Sequence, residues 1–291
     1  MPDPSHQIVF CGCARDCAAY LPAVLANIQA LAARFPGSAC LFVENDSADD
    51  TAALLGAFCQ QQGPANQLLV LEGLAQQIPQ RTVRLAMARN ALIASLRQWY
   101  ADGRYTLMVM LDLDDVNTRP WDLDAIEARI AWMHQQQDVV AVFPNQLDHY
   151  YDLWALREPE RCPGDAWEEV FDHAMRHGCS DQEAFDQTFR QRIFTLPVDA
   201  PPMEVDSAFG GLGIYRMQAV LANPAAYSGE AVKVWGSMDQ PQVARWQRCE
   251  HVSFHLGLRQ QGGRLLVLPD LINADASGAA YPADGFRGLS F

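Results

Sequence analysis

Residues Tyr105 to Val116 read YTLMVMLDLDDV, and the reading of this stretch decides the fold. Thr106 to Leu111 is an unbroken apolar run, the pattern of a strand buried on both faces of a parallel sheet. Where the run stops, Asp112, Asp114 and Asp115 arrive together. Side chains two apart on an extended chain point the same way, so Asp112 and Asp114 aim at one spot. That spot lies beyond the carboxyl end of a sheet strand, where open α/β folds bind ligands. Like charges held close repel, and a hard divalent cation ligated by oxygen relieves them. The stretch therefore predicts a Mg²⁺ or Mn²⁺ site, ligated by Asp112 and Asp114, that serves a phosphorylated ligand. Asp122 and Asp124, just downstream, have the plainer role of capping the next helix.

Working outward, Gln7 to Cys13 is an apolar run that predicts a first strand, with Ala14-Arg15-Asp16 as its exit loop. Ala18 to Arg34 carries Leu21, Val24, Leu25, Ile28 and Leu31 at helical spacing, and Pro36-Gly37 closes it. Ala39 to Val43 predicts a second buried strand, followed by a helix to about Gln61 in which Ser47 and Asp50 fit a capping box. Gln67 to Leu71 predicts a third strand. Arg81 to Tyr100 predicts a helix with Leu85, Leu92, Ile93, Leu96 and Trp99 along its inner face. After the acidic strand come a helix from about Leu123 to Gln135 and a strand from Val139 to Phe143. Strands alternating with helices in this first half predict an α/β, doubly wound, mostly parallel sheet.

Past Pro144 the alternation breaks. His149 to Trp154, HYYDLW, is an aromatic cluster on a predicted loop, and Glu168 to Arg192 is helical and polar. Pro197 to Pro202 is a stiff connector, and AFGGLGIY, Ala208 to Tyr215, carries three glycines before a short helix from Arg216 to Leu221. A last helix, Cys249 to Gln260, leads to a strand from Leu265 to Leu268. No internal repeat or low-complexity tract interrupts the chain.

The 291 residues carry 35 Asp and Glu against 21 Lys and Arg, a net charge of −14. That balance argues against nucleic acid and against an anionic membrane surface, both of which need a basic footprint. An anionic ligand must then be met by local cations. No apolar run is long enough to cross a bilayer and the opening MPDPSHQ has no signal-peptide pattern, so the expectation is a cytoplasmic protein with no transmembrane segment. The 8 cysteines are expected as reduced thiols, and Cys11, Cys13 and Cys17 lack the spacing of a zinc ribbon.

Several segments match a known family in order. VENDSADDT, Val43 to Thr51, resembles the strand-end motif in which an acidic residue reads the nucleotide base; LAMARN, Leu85 to Asn90, resembles the helix motif before the metal strand; and LDLDD, Leu111 to Asp115, resembles the DxD motif. Phe209-Gly210-Gly211 resembles the glycine loop between donor and acceptor, and Cys249-Glu250-His251 the segment that opens with a catalytic Glu-Asp pair. Together they resemble the GT-A nucleotide-sugar glycosyltransferases over most of the chain. RTVRLAMARN and YYDLWALRE add a similarity to the fungal α-1,3-mannosyltransferases of capsule biosynthesis.

The resemblance implies a GT-A domain over residues 1–291, with a nucleotide-sugar half, 1–145, and an acceptor-binding and catalytic half, 146–291. It implies sugar transfer from a nucleoside-diphosphate sugar, UDP- or GDP-linked, to a glycan, lipid-linked or protein acceptor. Arg15, Glu44, Asn45, Asp46, Arg89, Asn90, Asp112, Gly210 and Gly211 would bind the donor, with Glu44 on the base and the arginines on the phosphates. Glu250, backed by His251, would be the base of an inverting reaction, and Asp206 a further candidate near the sugar. Tyr150, Tyr151, Asp152 and Trp154 would bind the acceptor, although aromatic rings there suit a core equally well.

The sequence departs from the pattern in two places. His251 stands where the pair has Asp, and no histidine follows the final strand near Asp270 to Asp275 to complete a metal site.

Histidine pairs elsewhere offer little. His251 and His255 have zinc-protease spacing, but Val252 occupies the glutamate position, and His173 with His177 reads as a solvated helix face. Asp112 to Val116 also fits the nucleophile motif of haloacid-dehalogenase phosphatases, which expects the first strand rather than the fourth. A non-catalytic nucleotide or glycan binder of the same fold is the other alternative.

Overall fold

The computed structural model describes residues 6–237 and 239–274. Ten strands and nine α-helices follow one another among these residues. The first are β1 (Gln7–Ala14), α1 (Leu21–Arg34), β2 (Ala39–Glu44), α2 (Thr51–Gln62), β3 (Gln67–Val70), α3 (Leu74–Gln77) and α4 (Arg81–Trp99). Then come β4 (Tyr105–Asp112), α5 (Leu123–Gln135), β5 (Val139–Gln146), α6 (Ala166–His177) and α7 (Asp181–Gln187). The last are β6 (Met203–Val205), β7 (Leu212–Arg216), α8 (Met217–Ala222), β8 (Glu230–Ser237), β9 (Gln240–Gln247), α9 (His251–Gln260) and β10 (Arg264–Ala274).

Eight strands make one sheet in the order β3-β2-β1-β4-β7-β5-β10-β6. The β1–β2, β2–β3, β1–β4 and β5–β10 pairs are parallel, as expected of strands joined through helices. The sheet is not wholly parallel, however. β7, drawn from the glycine-rich stretch, inserts antiparallel between β4 and β5, and β6 closes the far edge antiparallel to β10.

Both faces of the sheet are covered, which is why its strands are apolar runs rather than alternations. Ile8, Phe10, Leu107, Val109 and Leu111 pack on one side with α1, α2 and α5. Val9, Cys11, Met108 and Met110 pack on the other with α4, α8 and α9. The strand that decides the fold is thus buried from Leu107 to Leu111 and ends at Asp112, where the chain meets a cavity.

Two local readings differ from expectation. The helix expected from Ala18 starts at Leu21, after a turn in which Cys17 O accepts from Tyr20 and Leu21. Ser47 and Asp50 form no capping box: Asp50 makes no side-chain cap, while Asp49 Oδ1 accepts from Thr51 N at 3.0 Å. Ser47 is instead used across the loop, its Oγ accepting from Asp16 N at 3.0 Å.

Candidate functional site

Three strand tips meet at one cavity of about 290 Å³. β1 contributes Cys13 and Ala14 and its exit loop Arg15, Asp16 and Cys17; the exit of β2 contributes Asn45; β4 and its exit contribute Asp112, Leu113 and Asp114. The first turns of α4 add Arg81, Arg84 and Leu85. Parallel register sets the neighbours, with Cys13 beside Asp112 and Ala14 beside Glu44. Sequence reasoning named Arg15, Asn45, Asp112 and Asp114, and the structure brings them together. It missed Arg81 and Arg84, whose only local signal was a pair of cations three apart on one helix face.

The loops that frame the cavity are pinned by their own acids. Asp16 Oδ1 accepts from Ala48 N at 2.7 Å and Asp49 Oδ2 from Ala18 N at 2.9 Å, zipping the β1 and β2 exits together. Asp46 accepts from Gly73 N and Ala75 N, both at 2.6 Å, and these bonds hold its carboxyl below the usual range. Asp16 and Asp46 both sit at φ 52°, a strained conformation that these bonds keep in place.

Glu44 is 3% exposed, its Oε1 accepts from Ser47 N at 2.7 Å, and it is not among the residues that line the cavity. Asn45, the next residue, is.

Asp112 and Asp114 face the cavity by different routes. Asp112 ends β4, and its Oδ1 accepts from Arg89 at 2.9 Å. Asp114 lies past the strand and caps a single 3₁₀ turn, Oδ1 accepting weakly from Val116 N at 3.4 Å. Burial, and after it the charges of Asp112 and Asp115, push the Asp114 carboxyl up to about 7. A carboxylate made costly by burial beside another carboxylate is the chemistry that a divalent cation relieves. These two residues fit such an ion. Among the described residues no group of three acidic, histidine or cysteine side chains is placed to hold it. Asp270, near which a completing histidine was sought, pairs with Arg129; Asp275 lies outside the described residues.

Behind Asp112, Arg89 spans two carboxylates. Its other terminal nitrogen pairs with Glu250, the residue before α9, while Phe209 and Tyr227 lie 5.2 and 6.0 Å from the guanidinium carbon. Glu250 is 4% exposed and is not among the residues that line the cavity. His251 is buried too, stacked on Phe209 at 3.8 Å, with neither ring nitrogen hydrogen-bonded within the protein. Burial, then the Arg89 charge, holds it well below its usual pKa, so it is neutral. Asn90 also leaves the donor side: it grips the backbone of Tyr227.

The glycine loop is tied to the tip of β4. Asp112 N donates to Gly211 O at 2.9 Å, and the buried Asn117 donates to both Asp112 O at 2.9 Å and Gly211 O at 2.7 Å. Asn273 donates to Gly210 O at 2.8 Å, and Gly210 N donates to Asp152 Oδ2 at 3.0 Å. Gly211 has φ +83°, and a Cβ there would come within 2.4 Å of Val116 Cγ1. Asn117 and Asn273 were not legible as site residues, because their partners lie far away in sequence.

The aromatic cluster divides. Tyr150 is fully buried and stacked on Phe194, and Trp154 is partly buried, its indole donating to Asp165 Oδ2 at 3.2 Å; both belong to the core. Tyr151 and Asp152 adjoin the acidic centre. Burial and then the Asp152, Asp112 and Asp114 charges raise the Tyr151 hydroxyl, and burial raises Asp152 against the hydrogen bonds from Gly210 and Ala155. Asp206 stays apart. Beyond the end of β6, it receives Arg259 Nε at 3.0 Å in a surface network with Glu204 and Arg264.

His255 is sealed in the core between Ser207 and Tyr215, and burial drops its pKa to about 3. No helix among the described residues is long and apolar enough to cross a membrane.

No protein-family profile and no curated protein matches the chain. Solved structures do. A mannosyltransferase from Pyrobaculum calidifontis, PcManGT, solved in complex with GDP-Man and Mn²⁺, matches at TM-score 0.51 and 14% identity over 96% of this chain and 60% of its own. TarS 1-349 from S. aureus matches at 0.49 and 11%, over 91% of this chain and 59% of its own. Glucosyl-3-phosphoglycerate synthase from Mycobacterium tuberculosis, in complex with UDP, matches at 0.43 and 12%, over 93% and 69%. This chain thus spans about three fifths of the length of the first two. The likeness to the first shows the fold: the chain has the GT-A architecture that its motifs resemble.

Proposed function

We propose that this GT-A chain is a metal-dependent glycosyltransferase, moving a sugar from a nucleoside-diphosphate sugar to a hydroxyl of a glycan, lipid-linked or protein acceptor. One observation carries the reading. A single cavity sets the carboxylates Asp112 and Asp114 among three guanidinium groups, Arg15, Arg81 and Arg84. The carboxylates suit a cation and the guanidiniums suit phosphate oxygens, so the pair of features suits a metal-bound diphosphate better than either charge alone.

In this reading Asp112 and Asp114 hold Mn²⁺ or Mg²⁺, which when bound supplies countercharge to the diphosphate as it leaves. Arg15, Arg81 and Arg84 donate hydrogen bonds to the same phosphates and supply the positive charge that a chain of net charge −14 otherwise lacks. Asn45 faces the nucleoside, in place of the buried Glu44. Gly210 and Gly211 bring bare backbone beside Asp112, and Tyr151 with Asp152 borders the acceptor side. GDP-mannose, present in the P. calidifontis complex, is the first donor to test.

The phosphatase alternative needs Asp112 on the first strand of its fold, whereas β1, β2 and β3 all precede it here. A thermal-shift screen of UDP- and GDP-sugars with and without Mn²⁺ tests the proposal, since donor binding stabilises by mass action. Stabilisation should require Mn²⁺ and vanish in Asp112→Asn with Asp114→Asn. Donor stabilisation without transfer across a broad acceptor panel would leave a binding protein in place of an enzyme.

A further inference from the structure

We propose that Glu250 is a positioning residue of the cation site and not the proton acceptor of the reaction: acting through Arg89, it leaves Asp112 free to attract a cation. The inference rests on the metal-dependent reading above and deepens it.

The geometry argues first against the direct role. A general base must come within hydrogen-bond reach, about 3 Å, of the hydroxyl it deprotonates. Glu250 is 4% exposed, lies outside the cavity wall and is separated from Asp112 by the guanidinium that both carboxylates share. Neither His251 nitrogen relays for it, since Nε2 is 3.8 Å from Glu250 Oε1, beyond hydrogen-bond range, and the ring is packed on Phe209.

The same geometry supplies the indirect role. Arg89 is 2% exposed and cannot shed its charge, so alone with Asp112 it would form a neutral pair. A cation entering the cavity would then compete with a buried guanidinium for the one carboxylate. Glu250 on the far nitrogen offsets that guanidinium, so the cluster of three carries one net negative charge. Phe209 and Tyr227 on either side keep water from doing the offsetting instead. At the effective dielectric of a protein site, removing a unit charge from directly behind the ligating carboxylate lowers divalent-cation affinity by at least about tenfold.

The experiment measures Mn²⁺ binding to the nucleotide-free protein by the EPR signal of free Mn²⁺, with thermal melts as a fold control. Glu250→Gln keeps the shape and removes the charge; its Mn²⁺ affinity should fall about tenfold, while residual transfer keeps the wild-type pH profile. Glu250→Asp keeps the charge and should bind Mn²⁺ within about threefold of wild type. Unchanged Mn²⁺ affinity in a folded Glu250→Gln protein overturns the proposal, as does loss of the acidic limb of the pH profile. Should Glu250→Gln fail to fold, Glu250→Asp decides: Mn²⁺ affinity and transfer both kept near wild type support positioning, and lost transfer at unchanged affinity overturns it. Wild-type protein that binds no Mn²⁺ even with a nucleoside diphosphate present would instead sink the functional reading itself.

Discussion

Asn90 holds the backbone of Tyr227 at both ends, its Nδ2 donating to the carbonyl at 3.0 Å and its Oδ1 accepting from the amide at 2.9 Å. The grip sets the Tyr227 ring over Arg89 and edge-on to His251, 5.5 Å between ring centres. Tyr227 is buried, so Asn90→Ala strands both backbone groups away from water. The expected loss is about 2–4 kcal/mol of stability, read from urea unfolding, and Asn90→Asp should not restore it, because a carboxylate oxygen would then face the Tyr227 carbonyl. A loss below about 0.5 kcal/mol in the alanine variant would show that the grip is replaceable.

Gly211 admits no side chain. At φ +83°, with Val116 Cγ1 2.4 Å from a would-be Cβ, Gly211→Ala combines backbone strain with a clash. The expected cost is about 1–3 kcal/mol, and because Gly211 O accepts from Asp112 N, Mn²⁺ binding should weaken with it. Wild-type melting and metal affinity in this variant would contradict the described loop.

Asp114 predicts a pH dependence with a definite sign. Its folded carboxyl is raised from 3.8 to about 7 by burial and by its acidic neighbours, so the folded protein holds this proton more tightly than the unfolded chain does. The group costs nothing below its unfolded value, and its penalty grows as pH rises, becoming full above the folded value. Metal-free wild type should therefore lose stability relative to Asp114→Asn between about pH 4 and 7, with no further change above that. A cation must displace the proton, so Mn²⁺ affinity should climb with pH and level off above about 7. Parallel melting curves of the two proteins across that range would refute the shift.

Arg81 is the cleanest probe of the cationic wall. Arg84 also donates to Ile78 O and Pro79 O, so its removal disturbs the loop before α4 as well. Arg81→Ala should weaken nucleoside-diphosphate binding about tenfold with little change in melting temperature. Calorimetric titration checks it, and unchanged affinity would remove Arg81 from the donor site.

What the sequence disclosed follows from the range of each interaction. The buried strands announced themselves as apolar runs, and Asp112 with Asp114 as paired charges at the end of one, because those signals are local. β7 was hidden by its glycines, and the β8–β9 ribbon passed unread although Val232-Lys233-Val234 and Val243 carry a period of two. Glu44 and Glu250 sit where the family motifs have functional acids, yet one is consumed by a neighbouring amide and the other by an arginine on a distant helix. Motif position reports residue type. It does not report which partner reaches that residue first.

The insertion of β7 between β4 and β5 also bears on how the protein is made. As the chain leaves the ribosome, β1 to β4 can pair as they emerge, but β5 has β7 and β10 for neighbours and must wait for both. Until residues 212–216 arrive, β4 presents an open apolar edge and β5 has nothing to pair with, a state prone to sticking to other chains. Slow or interrupted translation in the stretch between them should therefore lower soluble yield, and holdase chaperones should be needed most at that point of synthesis.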